Sequence, residues 1–323
     1  MPPRAHLSTE FFTQNEGART PPPTPGVPAN AALQNGARPS CLVITHRFHY
    51  TCGVPAKVIA VANQKGGVGK TTTAVNLAAC VAALGRRVLL FDLDPQANAT
   101  SGVGIEKVEG ASAYQPLLGQ GSLTEKIQKT AYEGLEVIPS EVDLCGADIE
   151  LPRAENHLQR VSAALGPVLA TDRFDLVLVD CPPSLGILTL NAFAAADGVL
   201  VPLQCEYYAL EGISMLNKVM AQLHDKGINP RLELTGVVMT MFDSRTNLSQ
   251  QVVGEVRQHF KERVFDTMIP RTTRLAEAPS FGKPIIHYDR HSTGAAAYEL
   301  LAQEFLARLD RGAAAEALSA SEA

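Results

Sequence analysis

The residues best suited to chemistry stand in one glycine-rich stretch, KGGVGKT, which follows the apolar run KVIAVA. Its glycines allow the backbone to curl so that successive N–H groups face one anionic centre, and a following helix adds positive partial charge. Lys70 is placed to reach the β- and γ-phosphates of a nucleotide, and the hydroxyl of Thr71 to bind Mg²⁺. We therefore predict a nucleotide-binding loop made of Lys65, Gly66, Gly67, Val68, Gly69, Lys70, Thr71 and Thr72.

Carboxylates follow two further apolar runs. FDLDPQ places Asp92 and Asp94 at the end of a predicted strand, where ligands of open α/β sheets bind. Because alternate residues of a strand share one face, both carboxylates can point into the same crevice. LVLVDCPPS ends its apolar run at Asp180, which we expect to hold Mg²⁺ through water. Cys181 is either a nucleophile or metal ligand, or a packing residue, and packing is favoured because no second cysteine or histidine stands at ligand spacing.

Strand-like and helix-like segments alternate along the chain. Several apolar runs are continuously rich in Val, Ile and Leu, as in buried parallel strands, and we predict strands at 57–62, 87–92, 135–139, 174–180, 198–203, 234–242 and 265–270. Helical spacing of apolar residues predicts helices at 72–85, 249–262 and 294–309. The first of these ends at Gly85, a residue well suited to cap the C-terminus of a helix. This alternation predicts an α/β fold with a doubly wound, mostly parallel sheet flanked by helices. The glycine loop between a strand and a helix start makes the predicted sheet one of P-loop NTPase type.

Composition limits the possible classes of protein. The chain has 323 residues, is 46% hydrophobic and carries a formal net charge of −5, which argues against a generic nucleic-acid coat protein. Its six cysteines are scattered without C-x-x-C spacing, so a reducing cytosol is the simplest compartment. No apolar run is long enough to span a bilayer, and no signal peptide is evident. We expect a cytoplasmic protein.

Two terminal segments differ from the alternating region. Nine of the 21 prolines fall in residues 1–56, which we predict to be a disordered extension because it has too little apolar area to offset its ordering entropy. This extension either binds a partner through its prolines or is an upstream addition without a role. Residues 57–310 form the predicted ATPase domain, and residues 311–323, ending in Ala and Ser, a disordered tail.

The glycine loop departs from the ordinary pattern G-x-x-x-x-G-K-[ST], whose first glycine would fall on Gln64. The form K-G-G-x-G-K-T is a deviant Walker A motif, and it resembles the ParA/MinD family of ATPases. The stretches VLLFDLDPQANATSG, LVLVDCPPSLG, TNLSQQVVGEVRQHF and IPRTTRLAEAPSFGKPI are similar to its partitioning branch, ParA or Soj. The resemblance covers about residues 57–310.

The resemblance implies a role for the second lysine. Members dimerise face to face over two ATP molecules, and the lysine matched by Lys65 crosses to the phosphates held by the partner, as an arginine finger does. Asp94 matches the catalytic aspartate that positions the attacking water, and Asp92 supports the lysine and magnesium network. Pro270 and Thr272 match residues that border the adenine, although most relatives carry Asn where Thr272 stands.

A DNA-binding surface follows from the resemblance and not from composition. Residues 243–290 contain eight Lys or Arg against six acids, which by itself indicates a solvated surface. Arg245 and Arg274 match positions that bind DNA non-specifically in Soj-like proteins, by phosphate neutralisation. The implied protein is a weak ATPase that dimerises with ATP, coats the nucleoid and is stimulated by a ParB-like partner and DNA.

Three alternatives remain open. A MinD-like ATPase would bind membranes through a basic C-terminal helix, but here the acids after Gly294 match or exceed the bases, so we expect no membrane partner. A nitrogenase-reductase-like protein would hold a [4Fe–4S] cluster, but the cysteine spacing predicts no metal cluster. A metabolic ligase or synthetase with the same phosphate loop would require a small substrate for turnover.

Overall fold

The computed structural model of this chain describes residues 56–206 and 209–321, apart from the side chains of residues 209–211 and 313–321. The predicted proline-rich extension therefore lies outside the described residues, except for its last residue, Ala56. Every nucleotide-loop, carboxylate and arginine candidate lies within them.

Seven strands of the described residues form one sheet with the order β3-β4-β2-β5-β1-β6-β7. β3 pairs antiparallel with β4, and every other neighbouring pair is parallel. The strands are β1 (Lys57–Val61), β2 (Val88–Asp92), β3 (Gln128–Lys129), β4 (Leu135–Ile138), β5 (Leu176–Asp180), β6 (Gly198–Gln204) and β7 (Glu233–Thr240). The predicted doubly wound, mostly parallel sheet is confirmed.

Helices connect and cover these strands. They are α1 (Lys70–Ala83), α2 (Asn98–Gly102), α3 (Tyr114–Leu117), α4 (Ala147–Glu150), α5 (Arg160–Leu169), α6 (Ile187–Ala195), α7 (Ala209–Asp225), α8 (Asn247–Phe260), α9 (Thr273–Glu277), α10 (Ile285–Tyr288) and α11 (Thr293–Ser321). α1 ends as predicted: Gly85 follows it with φ +88°, and its N–H donates to the Ala82 carbonyl at 2.8 Å. None of the helices in the described ranges is both long and apolar enough to cross a membrane.

The sheet is buried on both faces. In β1, Val58 and Ala60 pack into one hydrophobic cluster, whereas Ile59 and Val61 pack into the cluster on the opposite face. Alternate side chains of a strand point to opposite faces, so a strand covered on both sides must be apolar throughout. Burial of each large aliphatic side chain stabilises the fold by roughly 1.5–3 kcal/mol, which holds the central strands in place.

Strand register brings the predicted chemistry to one edge of the sheet. Asp180, the last residue of β5, is level with Val61 at the end of β1 and with Asp92 at the end of β2. The glycine loop follows β1 directly. The two carboxylates and the loop therefore meet at the carboxyl edge of three adjacent parallel strands, which is where open α/β sheets bind ligands.

The predicted strand FDTMIP is wrong. Only isolated bridges link this part of the chain to β7, although the Phe265 N–H still donates to a β7 carbonyl at 2.9 Å. The N–H groups of Asp266 and Thr267 donate instead to the Glu304 carboxylate, at 2.9 and 3.0 Å. A side chain of α11 thus takes the hydrogen bonds that a β-ladder would need.

The ends of two other elements also differ from expectation. α11 continues through Ser321, so helix stands where we predicted a disordered tail from residue 311. The antiparallel strand β3 has two residues, too few to give a periodic pattern in the sequence.

Candidate nucleotide-binding site

The glycine loop is curled between β1 and α1. Gly67 and Gly69 have φ values of +74° and +87°, in the left-handed region that side chains with a Cβ disfavour. Gly69 immediately precedes α1. The first N–H groups of a helix have no partner within the helix, so those of α1 lie next to the loop. The carbonyl of Val68 accepts a hydrogen bond from the Thr240 hydroxyl at 2.8 Å, which ties the loop to the end of β7.

A buried asparagine holds the beginning of the loop. The Asn63 amide donates to the Pro202 carbonyl at 2.8 Å, and its oxygen accepts the Lys65 N–H at 3.0 Å. Sequence reasoning missed both Asn63 and Thr240. The sequence feature that could have found them is a polar residue at the carboxyl end of an apolar run. Asn63 follows the run KVIAVA, and Thr240 ends the run GVVMT.

Lys70 lies inside the loop. Its side chain belongs to the first turn of α1, the residue is only 6% exposed, and its ammonium donates to the Lys65 carbonyl at 3.0 Å. Burial lowers the pKa of Lys70, and the charges of Asp180 and Asp94 oppose that shift. A cation in a nearly closed loop, held by a backbone carbonyl and balanced by two carboxylates, is suited to an added anion.

Asp180 is the least satisfied polar group of the site. It is fully buried, and neither carboxylate oxygen accepts a well-formed hydrogen bond from the described residues. Burial raises its pKa well above the ordinary value, and the nearby charge of Asp92 adds to the shift, while Thr71 and Lys70 oppose it. A buried carboxylate with two orphaned oxygens beside a threonine hydroxyl fits a hydrated Mg²⁺ ion, a hard cation that prefers oxygen ligands.

Asp92 is committed to hydrogen bonds within the chain. One of its oxygens accepts both the N–H and the hydroxyl of Thr100, each at 2.7 Å, and the other accepts the Asp94 N–H at 3.2 Å. Burial raises the pKa of Asp92 to about 6, and these hydrogen bonds reduce the shift. Thr100, which the sequence did not single out, also accepts the Ser140 N–H at 2.9 Å. Because Thr100 belongs to α2, these bonds hold α2 beside the site. Asp92 is also level with Asp180 in the sheet.

Asp94 lies in the turn between β2 and α2. It is buried, and its carboxylate accepts the Gln96 N–H at 2.9 Å. Ala97, which follows in this turn, has φ +53° although it is not a glycine. Backbone strain of this kind persists where the surrounding structure requires one loop shape, often at functional sites.

Lys65 occupies a different environment from Lys70. Its side chain is 43% exposed and pairs with the Glu206 carboxylate. The other oxygen of Glu206 accepts the Gln204 amide at 2.6 Å. The ammonium of Lys65 is therefore at the surface of the loop, held by a residue that follows β6.

A mostly apolar cavity of about 330 Å³ opens beside the loop. It includes both predicted base-site residues, Pro270 and Thr272, and reaches Gly69 and Thr72 of the loop. The Thr272 hydroxyl accepts the Arg274 N–H at 3.3 Å and so caps α9. The volume and apolar lining suit a planar heterocycle next to bound phosphates.

The two arginines predicted to bind DNA are exposed and paired with acids. Arg245 is 87% exposed and forms a bidentate pair with Asp243, with its shorter contact at 2.7 Å. Arg274 lies 3.1 Å from a Glu277 oxygen and 3.3 Å from an Asp289 oxygen. Exposed pairs contribute at most about 1 kcal/mol, so both guanidinium groups can exchange these carboxylates for phosphates at little cost.

The buried loop lysine, the curled glycines and the orphaned carboxylate of the neighbouring strand define a P-loop ATPase with a deviant Walker A motif. Comparisons with known proteins specify the branch. A sequence model described as an AAA domain matches residues 56–234. Sporulation initiation inhibitor protein Soj of Bacillus subtilis is 51% identical over 252 residues, which are 78% of this chain and 98% of Soj.

Two further relatives agree with this result. Chromosome partitioning protein ParA of Myxococcus xanthus is 51% identical over 254 residues, 78% of this chain and 88% of that protein. The crystal structure of cobyrinic acid a,c-diamide synthase from Mycobacterium smegmatis with bound ADP and magnesium is 36% identical, covers 80% of this chain and 96% of its own, and has a TM-score of 0.69. The chain belongs to the ParA/Soj family of chromosome-partitioning ATPases.

Proposed function

We propose that this protein binds ATP with Mg²⁺, dimerises over it, binds DNA non-specifically as a dimer, and drives partitioning of a chromosome or plasmid. The observation that carries the proposal is the contrast between the loop lysines. Lys70 is buried against its own loop, whereas the Lys65 ammonium is at the surface, where a second protomer can be reached. The 51% identity to Soj and ParA supports the same conclusion.

The loop supplies the nucleotide contacts. The N–H groups from Gly66 to Thr72 surround the phosphates, and Lys70 leaves the Lys65 carbonyl to contact the β- and γ-phosphates. Thr71 and Asp180 hold Mg²⁺, with Asp92 supporting the network through Thr100. When bound, Mg²⁺ neutralises charge on the phosphate oxygens and orients them.

Hydrolysis depends on Asp94. Its carboxylate lies near Lys70 and, among the described residues, accepts a hydrogen bond from one local turn N–H, so its other oxygen is available to orient an attacking water. Lys65 of the partner subunit stabilises the negative charge that develops at the terminal phosphate. Because that lysine arrives only with the partner, turnover in a lone chain is slow, and a ParB-like protein and DNA stimulate it.

DNA binding depends on the doubling of weak contacts. Arg245 and Arg274 each replace an exposed carboxylate partner by a phosphate, without reading the base sequence. In a dimer each contact occurs twice, and the second protomer binds at a high effective concentration. ATP thereby controls association with the nucleoid through dimerisation alone.

Light scattering coupled to size exclusion tests the dimer, with ATP, ADP or no nucleotide, on the wild type and on Asp94→Ala, Lys65→Ala and Asp94→Ala/Lys65→Ala. We expect Asp94→Ala to reduce phosphate release at least 100-fold and to accumulate ATP-bound dimers, because its turnover is blocked. Adding Lys65→Ala should keep ATP binding within a few-fold and abolish those dimers.

Specific outcomes contradict the proposal. If Asp94→Ala binds ATP but stays monomeric, the proposed ATP-dependent dimer is wrong. If Asp94→Ala hydrolyses ATP rapidly, the proposed role of Asp94 in hydrolysis is wrong. The Mycobacterium smegmatis structure that resembles this chain is a synthase, so the ligase alternative also needs a test. Turnover that requires a small carboxylic acid and is unaffected by DNA would favour that alternative.

A further inference from the structure

One cation beside the base cavity has no role in the function proposed above. Arg271 lines the 330 Å³ cavity between the two predicted base-site residues, Pro270 and Thr272. Its N–H donates to the Phe242 carbonyl at 3.1 Å, and the bridge between Phe242 and Pro270 fixes this segment beside the end of β7. The backbone of Arg271 is therefore held at the cavity mouth while its side chain remains exposed.

The guanidinium of Arg271 lacks a strong partner in the described part of the chain. Its one close polar contact is weak, with the Met241 sulfur 4.0 Å from Nη2. The neighbouring arginines differ, since Arg245 and Arg274 both form carboxylate pairs. The charge of Arg271 contributes to lowering the pKa of Asp243. However, the Asp243 carboxylate already accepts two hydrogen bonds from the Arg245 guanidinium.

Met241 adds an independent observation. It lines the same cavity and has φ +52°, a left-handed conformation that costs a residue with a Cβ about 1–2 kcal/mol. Strain in the backbone concentrates at ligand clamps, where the surrounding structure enforces it. This conformation puts the methionine sulfur beside the guanidinium at the mouth of the cavity.

Most other polar side chains of the cavity are already used within the protein. The hydroxyl of Thr240 donates to the loop, that of Thr272 caps α9, and that of Tyr298 lies 3.2 Å from the Thr73 hydroxyl. Among the described lining residues, Arg271 is the one cationic side chain in an otherwise mostly apolar wall. An apolar cavity with one cation in its wall suits a flat aromatic ring, whose face attracts a cation.

We propose that Arg271 closes the cavity over the base of the bound nucleotide, with its guanidinium plane stacked on the purine ring. A guanidinium over an aromatic face is attracted by the ring quadrupole and by dispersion, and its planar shape matches the ring. Arg271 thus determines affinity for the nucleoside part of the ligand, while the glycine loop determines affinity for the phosphates. This inference rests on the proposed ATP site.

Isothermal titration of two ligands separates base from phosphate contacts. ATP and inorganic tripolyphosphate, each with Mg²⁺, are titrated into the wild type, Arg271→Ala, Arg271→Lys and the control Arg231→Ala. Arg231 is an exposed arginine before β7, at the opposite edge of the sheet from the site. We expect Arg271→Ala to weaken ATP binding about tenfold and to leave tripolyphosphate within twofold.

The remaining variants sharpen the test. Arg271→Lys keeps the charge but loses the plane, so it should recover less than half of the lost binding free energy for ATP, and Arg231→Ala should match the wild type. Unchanged ATP affinity in Arg271→Ala would overturn the inference, as would an equal loss for tripolyphosphate, which would assign Arg271 to the phosphates. If the wild type binds no ATP, the proposed function fails instead.

Discussion

Two parts of the functional surface differ in what holds their charges: an inner half, which is the buried nucleotide site, and an outer half, which consists of Lys65 and the exposed arginine candidates. In the inner half, Lys70, Asp92 and Asp180 are buried, and the charge of Asp180 interacts with both of the others. In the outer half, Lys65 and Arg245 are exposed and paired with single surface carboxylates. A buried charge that loses its partner is strongly destabilised, whereas an exposed pair exchanges partners at a cost of about 1 kcal/mol or less.

Under the proposed function, this contrast allows one site to serve two purposes. The inner half keeps a fixed geometry because β1, β2 and β5 set the positions of its residues through the core. The outer half consists of side chains whose ion pairs can be replaced by the phosphates of a partner or of DNA. The proposed function thus assigns chemistry to the rigid part of the site and association to the exchangeable part.

The largest effect should come from the inner half. Lys70→Ala removes the cation inside the loop and leaves the phosphates facing Asp180 and Asp94. We expect ATP affinity to fall more than 100-fold, measured by isothermal titration, because a charge-assisted contact in a buried site is lost. Lys129→Ala, which removes an exposed lysine from β3, is the matched control and should bind ATP normally.

An Arg245→Glu or Arg274→Glu exchange tests the outer half. Each should weaken DNA binding more than tenfold and flatten its salt dependence, while ATP-dependent dimers form as before. Fluorescence anisotropy with a duplex of arbitrary sequence, across a salt series and in the Asp94→Ala background, measures this change. Arg231→Glu carries the same change of charge at the far edge of the sheet, and an equal loss in that control would refute a localised surface.

The smallest expected effect is on the stability of the variant Asp180→Asn. This variant should be more stable than the wild type although it loses function. Asp180→Asn removes a buried charge that has no well-formed hydrogen bond and that Asp92 repels, while Asp94 still balances Lys70. We therefore expect the nucleotide-free protein to gain about 1–2 kcal/mol, or several °C in Tm. The same change should abolish Mg²⁺-dependent ATP binding. A variant that melts below the wild type would show that Asp180 has a stabilising partner.

The pH dependence of that gain follows from the raised pKa values. A carboxyl whose pKa is higher in the folded state stabilises the fold below its ordinary pKa and loses this contribution as pH rises through the folded value. Burial raises the pKa of Asp92 to about 6 and that of Asp180 well above its ordinary value. The stability difference between Asp180→Asn and the wild type should therefore increase with pH, as measured by thermal melts from pH 5 to 8.

Local patterns predicted most of the inner half. The glycine loop, Asp94 and Asp180 each follow an apolar run, and parallel strands necessarily bring such ends to one edge. The arginine candidates lie on the surface, as their polar sequence context indicates. Their DNA contacts and the roles of Lys65, Pro270 and Thr272 stay predictions.

The sequence by itself determined the fold class and the location of the phosphate loop, because periodicity and glycine spacing are properties of contiguous residues. Tertiary structure decided which distant groups complete the site. Thr240 ties down Val68, Glu206 holds Lys65, and Arg271 lines an apolar cavity beside Met241. It also turned a strand-like run into a loop, because Glu304 of α11 bonds its N–H groups. Such contacts join residues far apart in the chain, so no local pattern encodes them.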